Sequence, residues 1–370
     1  MKKIFFLIFL TACTSQNLNN SAVNIDMNVT FDEFKILLKE YDKKKGYYMQ
    51  KNPFGLKGDF ITAPNISRMF SEMIAVWILG FWENLGTPKK INLVELGAGN
   101  GEMMKIFLET FKKFPAFLSS CNILIHEKSL KLKKIQKNKL NKEKVIWISD
   151  LKQIKKFPTI FIANEFFDAI AIKQFVKKKN FWFERYVNFK NQKKAFFCER
   201  KFNMKKFEKE IDYNISKDQK FIEYSLVGAD YLKKVARIVK KNNGGLLMID
   251  YGYMEKRMKN TLKSISNHKH NSVLKNIGTS DITHNINFFL FKKIINQLGG
   301  LKDLITTQGS FLVKLGIKNR AEIISQNQSF SKKADIYFRL KKLIDEKEMG
   351  NLFKVMFIKK KNNKYRLGFN

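Results

Sequence analysis

The stretch VELGAGNGE, residues 94–102, places three glycines at alternate positions directly behind the apolar run INLVEL. An apolar run, a glycine turn and then the helical pattern GEMMKIFLETFKKF predict strand, loop and helix in succession. In an open α/β sheet such a loop sits at the carboxyl end of the strands, where ligands bind. A dinucleotide loop reads Gly-x-Gly-x-x-Gly, and its third glycine lets helix and strand pack closely. Here Gly97, Gly99 and Gly101 run Gly-x-Gly-x-Gly, and Glu102 stands at the dinucleotide position. A carboxylate beside a pyrophosphate is repelled. Glu95 ahead of a bare glycine backbone instead suits S-adenosylmethionine, which has no phosphate and whose ammonium group can donate to Glu95. Glu127 ends the next apolar run, NILIHE, 28 residues after Gly99. From the neighbouring strand tip it can accept from both hydroxyls of a ribose. Taken singly, each acid also reads as a solvated strand end.

Outward from this loop, apolar runs alternate with helical segments. VIWIS, TIFIANEFF and GGLLMIDYG continue the series, which predicts an α/β fold with a mostly parallel sheet and helices on both faces. IKQFVKKKNFWFERYVNFKNQKKAFFCERK breaks the alternation and reads as two or three antiparallel strands, an insertion at about 172–215. Residues of about 255–345 read as mostly loop and helix, a helical cap, and NLFKVMFIKK with KYRLGFN reads as a closing hairpin. Ahead of the loop, SRMFSEMIAVWILGFWENLG is apolar on most faces and predicts a buried helix closed by Gly86. FDEFKILLKEYDKKKGYY predicts an amphipathic helix, and NPFGLKGDFITAPNIS a loop. The organisation expected is an N-terminal extension over 1–26, a helical and lid region over 27–90, and the main domain over 91–370.

Composition bounds the partners. Of 370 residues 44% are hydrophobic, enough for a large core, and Lys+Arg of 70 against Asp+Glu of 33 gives a formal net charge of +37. Only eight of the basic residues are Arg, and the lysines are spread along the whole chain, which marks compositional drift rather than a dedicated nucleic-acid site. Cys13, Cys121 and Cys198 lie far apart, and His268 and His270 have no acidic or sulfur neighbour, so neither a disulfide framework nor a metal is expected. The start, MKKIFFLIFLTAC, has a basic opening and an apolar run too short to span a bilayer, followed by a lipobox-like Leu-Thr-Ala-Cys. Read alone, it predicts a lipoprotein anchored through Cys13. The rest of the chain predicts a cytoplasmic protein, with Met27 as an alternative start or the apolar run as a peripheral membrane contact.

The fourth run ends in ANEFFDA, which sets Asn164, Glu165 and Asp168 around Phe166 and Phe167. Residues in this place face the group that a cofactor transfers. Two carboxylates beside aromatic walls suit a planar cation such as a guanidinium, which carboxylates grip bidentately and which must lose a proton as it attacks. Equally, the phenylalanines read as core and Glu165 as a helix cap.

The blocks GYYMQKNPFGLKGDFITAPNISRMF, LVELGAGNGEMMKIFL, ANEFFDAIAIKQFV, LLMIDYGY, SDITHNINF, TQGSFLVKLGI and MGNLFKV together resemble the MidA family. That resemblance implies a Rossmann-like class I methyltransferase fold with a seven-stranded sheet and S-adenosyl-L-methionine as cofactor. It also implies a protein arginine as acceptor, in the manner of the mitochondrial members that assist respiratory complex I assembly. It carries the cofactor motif onto Glu95, Gly97, Gly99 and Gly101, the acidic motif onto Asn164, Glu165 and Asp168, and a lid over the cofactor onto Gly58, Asp59, Phe60 and Thr62. The chain departs from the pattern at Asn65 and Asn287, where acids are expected, and at Asn100, where Arg is expected. Two other classes stay open, an RNA methyltransferase and a non-catalytic assembly factor that binds the cofactor.

Overall fold

The computed structural model describes residues 29–30, 62–190, 194–266, 269–275 and 281–369. Its centre is a sheet of β1 (Ile91–Leu96), β2 (Cys121–His126), β3 (Val145–Ile148), β4 (Thr159–Asn164), β5 (Gly244–Tyr253), β6 (Leu301–Thr307) and β7 (Phe353–Lys360). The spatial order is β3-β2-β1-β4-β5-β7-β6, with β7 antiparallel to both neighbours and the other pairs parallel. A two-residue strand, Ile286–Asn287, extends the end of β5 in parallel. The chain order reverses between β1 and β4, so the crevice at their carboxyl ends is the switch point where a ligand is expected.

Every residue of β1 and β4 is buried, as a sheet covered on both faces requires. One face packs Leu93, Ile125, Ile162, Ile249 and Val355 under the helices α1 (Arg68–Asn84) and α2 (Glu102–Phe111). The opposite face packs Val94, Leu124, Phe161, Met248 and Met356 under α4 (Leu226–Asn242) and α5 (Phe288–Gln297). Between β2 and β3 runs α3 (Leu130–Lys139). The cap beyond β6 consists of α6 (Gln308–Lys314), α7 (Ile317–Ser325) and α8 (Phe330–Ile344). It joins the first core through Phe311, Leu312, Ile317 and Leu343. Glu72 of α1 accepts from Arg320 of α7 through both the Nε (2.8 Å) and an Nη (3.1 Å), a fork that fixes the cap's angle on the sheet.

Helix α1 follows its pattern closely. Ser67 caps it by accepting from the Met69 amide at 3.2 Å, and Gly86 closes it at φ +84°. The insertion after β4 forms three antiparallel strands, Lys173–Lys178, Phe181–Lys190 and Lys194–Phe202; Phe221–Tyr224 and the two-residue strand Val29–Thr30 join them in a five-stranded sheet. Two expectations are corrected. The region of about 255–345 is not only loop and helix: it contains β6 and a three-stranded sheet of Lys263–Ser266, Lys269–Asn271 and Asp281–Thr283. The expected closing hairpin does not form: β7 lies antiparallel between β5 and β6, not against KYRLGFN. That last segment is a strap over α1: the Trp77 indole donates to the Leu367 carbonyl at 3.1 Å and the Tyr365 hydroxyl to the Trp77 carbonyl at 2.9 Å. The amphipathic helix expected from FDEFKILLKEYDKKKGYY lies outside the described residues.

Candidate cofactor and acceptor site

The glycine loop leaves β1 with Gly97, Gly99 and Gly101 at φ +69°, +53° and +79°. Three left-handed residues in alternation are costly for any side chain, so the glycines are required by the turn itself. The Gly97 amide donates to the His126 carbonyl of β2 (3.0 Å) and the Gly101 amide to the Ala98 carbonyl (2.7 Å). Glu95, in the strand just ahead, is buried, and its Oε2 has no hydrogen-bond partner. Burial first, and the Glu127 charge second, push its carboxyl up to about 8. Glu127, beyond the end of β2, is buried as well, and desolvation raises its carboxyl above the usual range. Its two oxygens accept from the Ser129 amide (2.8 Å) and the Gln136 side-chain amide (3.0 Å). Each carboxylate oxygen has a second lone pair for a ligand hydroxyl.

Gln136 is a site residue that the sequence reading missed. It is fully buried on α3, where its Nε2 also donates to the Gly99 carbonyl (2.9 Å) and its Oε1 accepts from the Trp147 indole (2.9 Å). One amide thus ties the glycine loop, the ribose-side acid and β3 together. The signal was present: Leu132, Gln136 and Leu140 share one buried helix face, and a polar residue there needs a partner. Glu102 opens α2 but pairs with Lys139 at 2.5 Å. Its charge is therefore already met, and the spacing of the glycines, rather than repulsion by Glu102, is what disfavours a dinucleotide.

The acidic segment past β4 is held tightly. Glu165 has φ +50°, a left-handed non-glycine conformation that costs roughly 1–2 kcal/mol. Its amide donates to the Ile249 carbonyl of β5 at 2.9 Å. Its Oε1 accepts from the Asn164 side chain (3.1 Å) and from the Ala63 amide (3.4 Å). Asn164 is buried, and its Oδ1 has no partner. Phe167 is core, but Phe166 is only partly buried, and a Cβ added at Gly97 would stand 2.8 Å from its ring. The glycine loop and the acidic segment therefore touch through that ring. Asp168 is buried and accepts from the Thr283 hydroxyl at 2.7 Å. Asp250, near the end of β5 and just past its pairing with β4, is fully buried beside them, and its carboxyl lies well above the usual carboxylate range through burial and the charges of Asp168 and Glu165. This third acid lies in LLMIDYGY, where its spacing along the chain gives it no role.

Of the remaining expectations, Gly58, Asp59 and Phe60 lie outside the described residues. Thr62 leads into the short helix Ala63–Ile66, whose Ala63 amide meets Glu165. The departures at Asn65 and Asn100 prove to be partners: the Asn100 side-chain amide donates to Asn65 Oδ1 at 3.3 Å, a neutral contact where an acid and an Arg would form an ion pair. Asn287 caps α5, accepting from the Leu290 amide at 3.0 Å, a task Asp performs equally well. Among the described residues no group of three His, Cys, Asp or Glu is placed to hold a metal ion. No helix among them is long and apolar enough to cross a membrane.

Residues 73–307 match the family model of S-adenosyl-L-methionine-dependent methyltransferases called Methyltransf_28. The chain belongs to that family. This methyltransferase is similar to the mitochondrial protein arginine methyltransferase NDUFAF7 of Xenopus tropicalis, at 28% identity over 84% of this chain and 77% of that protein. The human protein of the same name is also 28% identical, over 86% of this chain and 78% of its own length. A crystal structure from Burkholderia thailandensis, bound to S-adenosyl-homocysteine, superposes with a TM-score of 0.76 at 22% identity, covering 92% of this chain and 90% of the other, which shows the fold. The methyltransferase uses S-adenosyl-L-methionine. Its own residues fit that group: a buried, partnerless carboxylate oxygen on Glu95 awaits a donor, and the glycine turn exposes backbone without phosphate-binding side chains.

Proposed function

We propose that this methyltransferase methylates arginine in a protein partner, as its curated relatives are named for doing. The observation that carries the reading is the cluster of Glu165, Asp168 and Asp250 near the ends of β4 and β5, joined to the glycine loop through Phe166. When bound, S-adenosyl-L-methionine supplies a methyl group on a positive sulfur. Glu95, Gly97, Gly99, Gly101 and Glu127 hold the cofactor, with Glu95 accepting from its ammonium group and Glu127 from its ribose. Gly58 and Asp59, outside the described residues, are assigned to the cofactor by the family resemblance alone. On the acceptor side Glu165 and Asp168 grip the guanidinium, Phe166 lies against its plane, and one of the two carboxylates takes the proton that the attacking nitrogen loses. Asn164 orients Glu165 through its side-chain amide. Burial first, and the charges of Asp168 and Glu165 second, raise Asp250, and a cation arriving among the three acids relieves the second part. The cytoplasm, where the cofactor is made, is the compartment this activity needs, and the acceptor is a subunit of a respiratory-type assembly.

The test is arginine methylation measured by mass spectrometry in cells with and without this gene, complemented by Glu165→Gln or Asp168→Asn. Each amide keeps the shape and removes the charge. A drop of at least about tenfold is expected, equivalent to about 1.4 kcal/mol in the barrier, with cofactor affinity retained. Full methylation by both variants would make the acidic pair structural. No change in arginine methylation on loss of the gene would remove the acceptor assignment.

A further inference from the structure

Asp168 is not held by its own strand. It lies four residues beyond β4, in a turn outside any helix or strand. Its backbone is fixed from β5: Asp250 Oδ2 accepts from the amides of Phe167 (3.0 Å) and Asp168 (3.2 Å), while Oδ1 accepts from the Tyr251 amide (2.9 Å). Its side chain is fixed from a third element. The Thr283 hydroxyl, at the end of the insertion strand Asp281–Thr283, reaches Asp168 Oδ2 at 2.7 Å. The next residue grips the same segment again, His284 Nε2 lying 3.0 Å from the Ile170 carbonyl. Asp250, Thr283 and His284 are all buried, so none of these contacts competes with bulk water.

We propose that Thr283 and Asp250 are positioning residues for the acceptor chemistry, Asp250 fixing the backbone of Asp168 and Thr283 the rotation of its carboxylate. The three-stranded insertion sheet thereby becomes part of the acceptor site. The proposal rests on the reading of Asp168 as an acceptor-binding carboxylate. A carboxylate at the end of a short side chain rotates unless something holds it, and misplacing a reacting group by about 1 Å costs on the order of a hundredfold in rate. A hydroxyl donor also favours the charged form of the acid it bonds, the form that grips a cation. Asp250 suits its place because both of its oxygens accept, three amides in all; an amide side chain could accept on its oxygen alone, and its NH2 would set donor against donor at the other position.

Thr283→Val is nearly isosteric and removes only the hydroxyl, whereas Thr283→Ser restores it. The assay is transfer of tritium-labelled methyl from S-adenosylmethionine into arginine of an extract from cells lacking the gene, followed across pH, beside calorimetry of cofactor binding. Thr283→Val should lower transfer about fivefold to tenfold, move the acid limb of the pH profile upward and leave cofactor affinity unchanged. Thr283→Ser should recover most of the loss. In an Asp168→Asn background the valine should cost nothing further, because the acid it positions is gone. A crystal structure of Thr283→Val should show the Asp168 carboxylate turned. Full activity in Thr283→Val, equal losses in Val and Ser, or additive losses with Asp168→Asn would each overturn the positioning role. Full activity of Asp168→Asn itself would instead sink the acceptor reading on which the proposal stands.

Discussion

Burial at the end of β1 and the neighbouring charge of Glu127 raise the Glu95 carboxyl from its ordinary 4.5 to about 8. The folded protein thus keeps this proton to higher pH than the unfolded chain does. Where the folded state binds more protons, stability falls as pH rises. The contribution is fully present below about pH 4.5 and is lost as pH climbs to about 8. Without cofactor, the melting temperature should therefore decline between those values, and Glu95→Gln should flatten the slope and melt higher at its alkaline end. Other buried acids, Glu127, Glu223 and Asp250, shift in the same direction, so the difference between wild type and variant is the quantity to measure. Added cofactor should stabilise the wild type increasingly toward pH 8, since its ammonium group meets an ionised Glu95, and should do so far less for Glu95→Gln. Parallel slopes with and without the substitution would mean that Glu95 already shares its charge with a partner.

At the scale of elements, the site depends on two loops that meet where no side chain fits. Gly97 has φ +69°, and a Cβ there would come within 2.8 Å of the Phe166 ring. Gly97→Ala should therefore disturb cofactor loop and acceptor segment together. Calorimetry should show at least about a tenfold loss of S-adenosylmethionine affinity, about 1.4 kcal/mol. Unchanged affinity would show that the ring yields freely, and a gain in affinity for NAD would return the loop to dinucleotide chemistry. The elements carrying these loops were legible because β1, β2, β4 and β5 are continuous apolar runs between glycine and polar breaks. Strand β6 was not, since LKDLITT buries only Leu301 fully and reads as loop. KYRLGFN misled for the opposite reason: Tyr365, Leu367 and Phe369 alternate like a strand, yet Tyr365 packs on Trp77 and Phe369 on Phe311 and Phe357, while Leu367 stays exposed. Glu95, Glu127 and the glycines could be found from spacing along the chain. Asp250 and Thr283 could not be placed that way, because what gives them a role is contact with a turn 82 and 115 residues distant.

For the whole molecule the excess of lysine sets a physical test of what the charge is for. A formal net charge of +37 on 370 residues repels itself in the folded state, and the ion pairs described are mostly at the surface, where each contributes little. Salt of about 0.1 M screens such charges beyond roughly 10 Å. The melting temperature should accordingly rise by several degrees between about 0.02 M and 0.3 M sodium chloride, because repulsion spread over many lysines outweighs a few exposed pairs. The same charge will draw RNA nonspecifically at low salt, with an affinity that falls steeply as salt is added. If the charge is compositional drift, methylation of arginine should survive nuclease treatment and should persist at a salt concentration that has already released RNA. The measurement is label incorporated into protein before and after nuclease, at both salt concentrations, with a filter-binding assay for RNA run alongside. Loss of transfer on nuclease treatment, or label recovered in RNA rather than in arginine, would turn the lysines into a substrate surface and make the acceptor a nucleic acid.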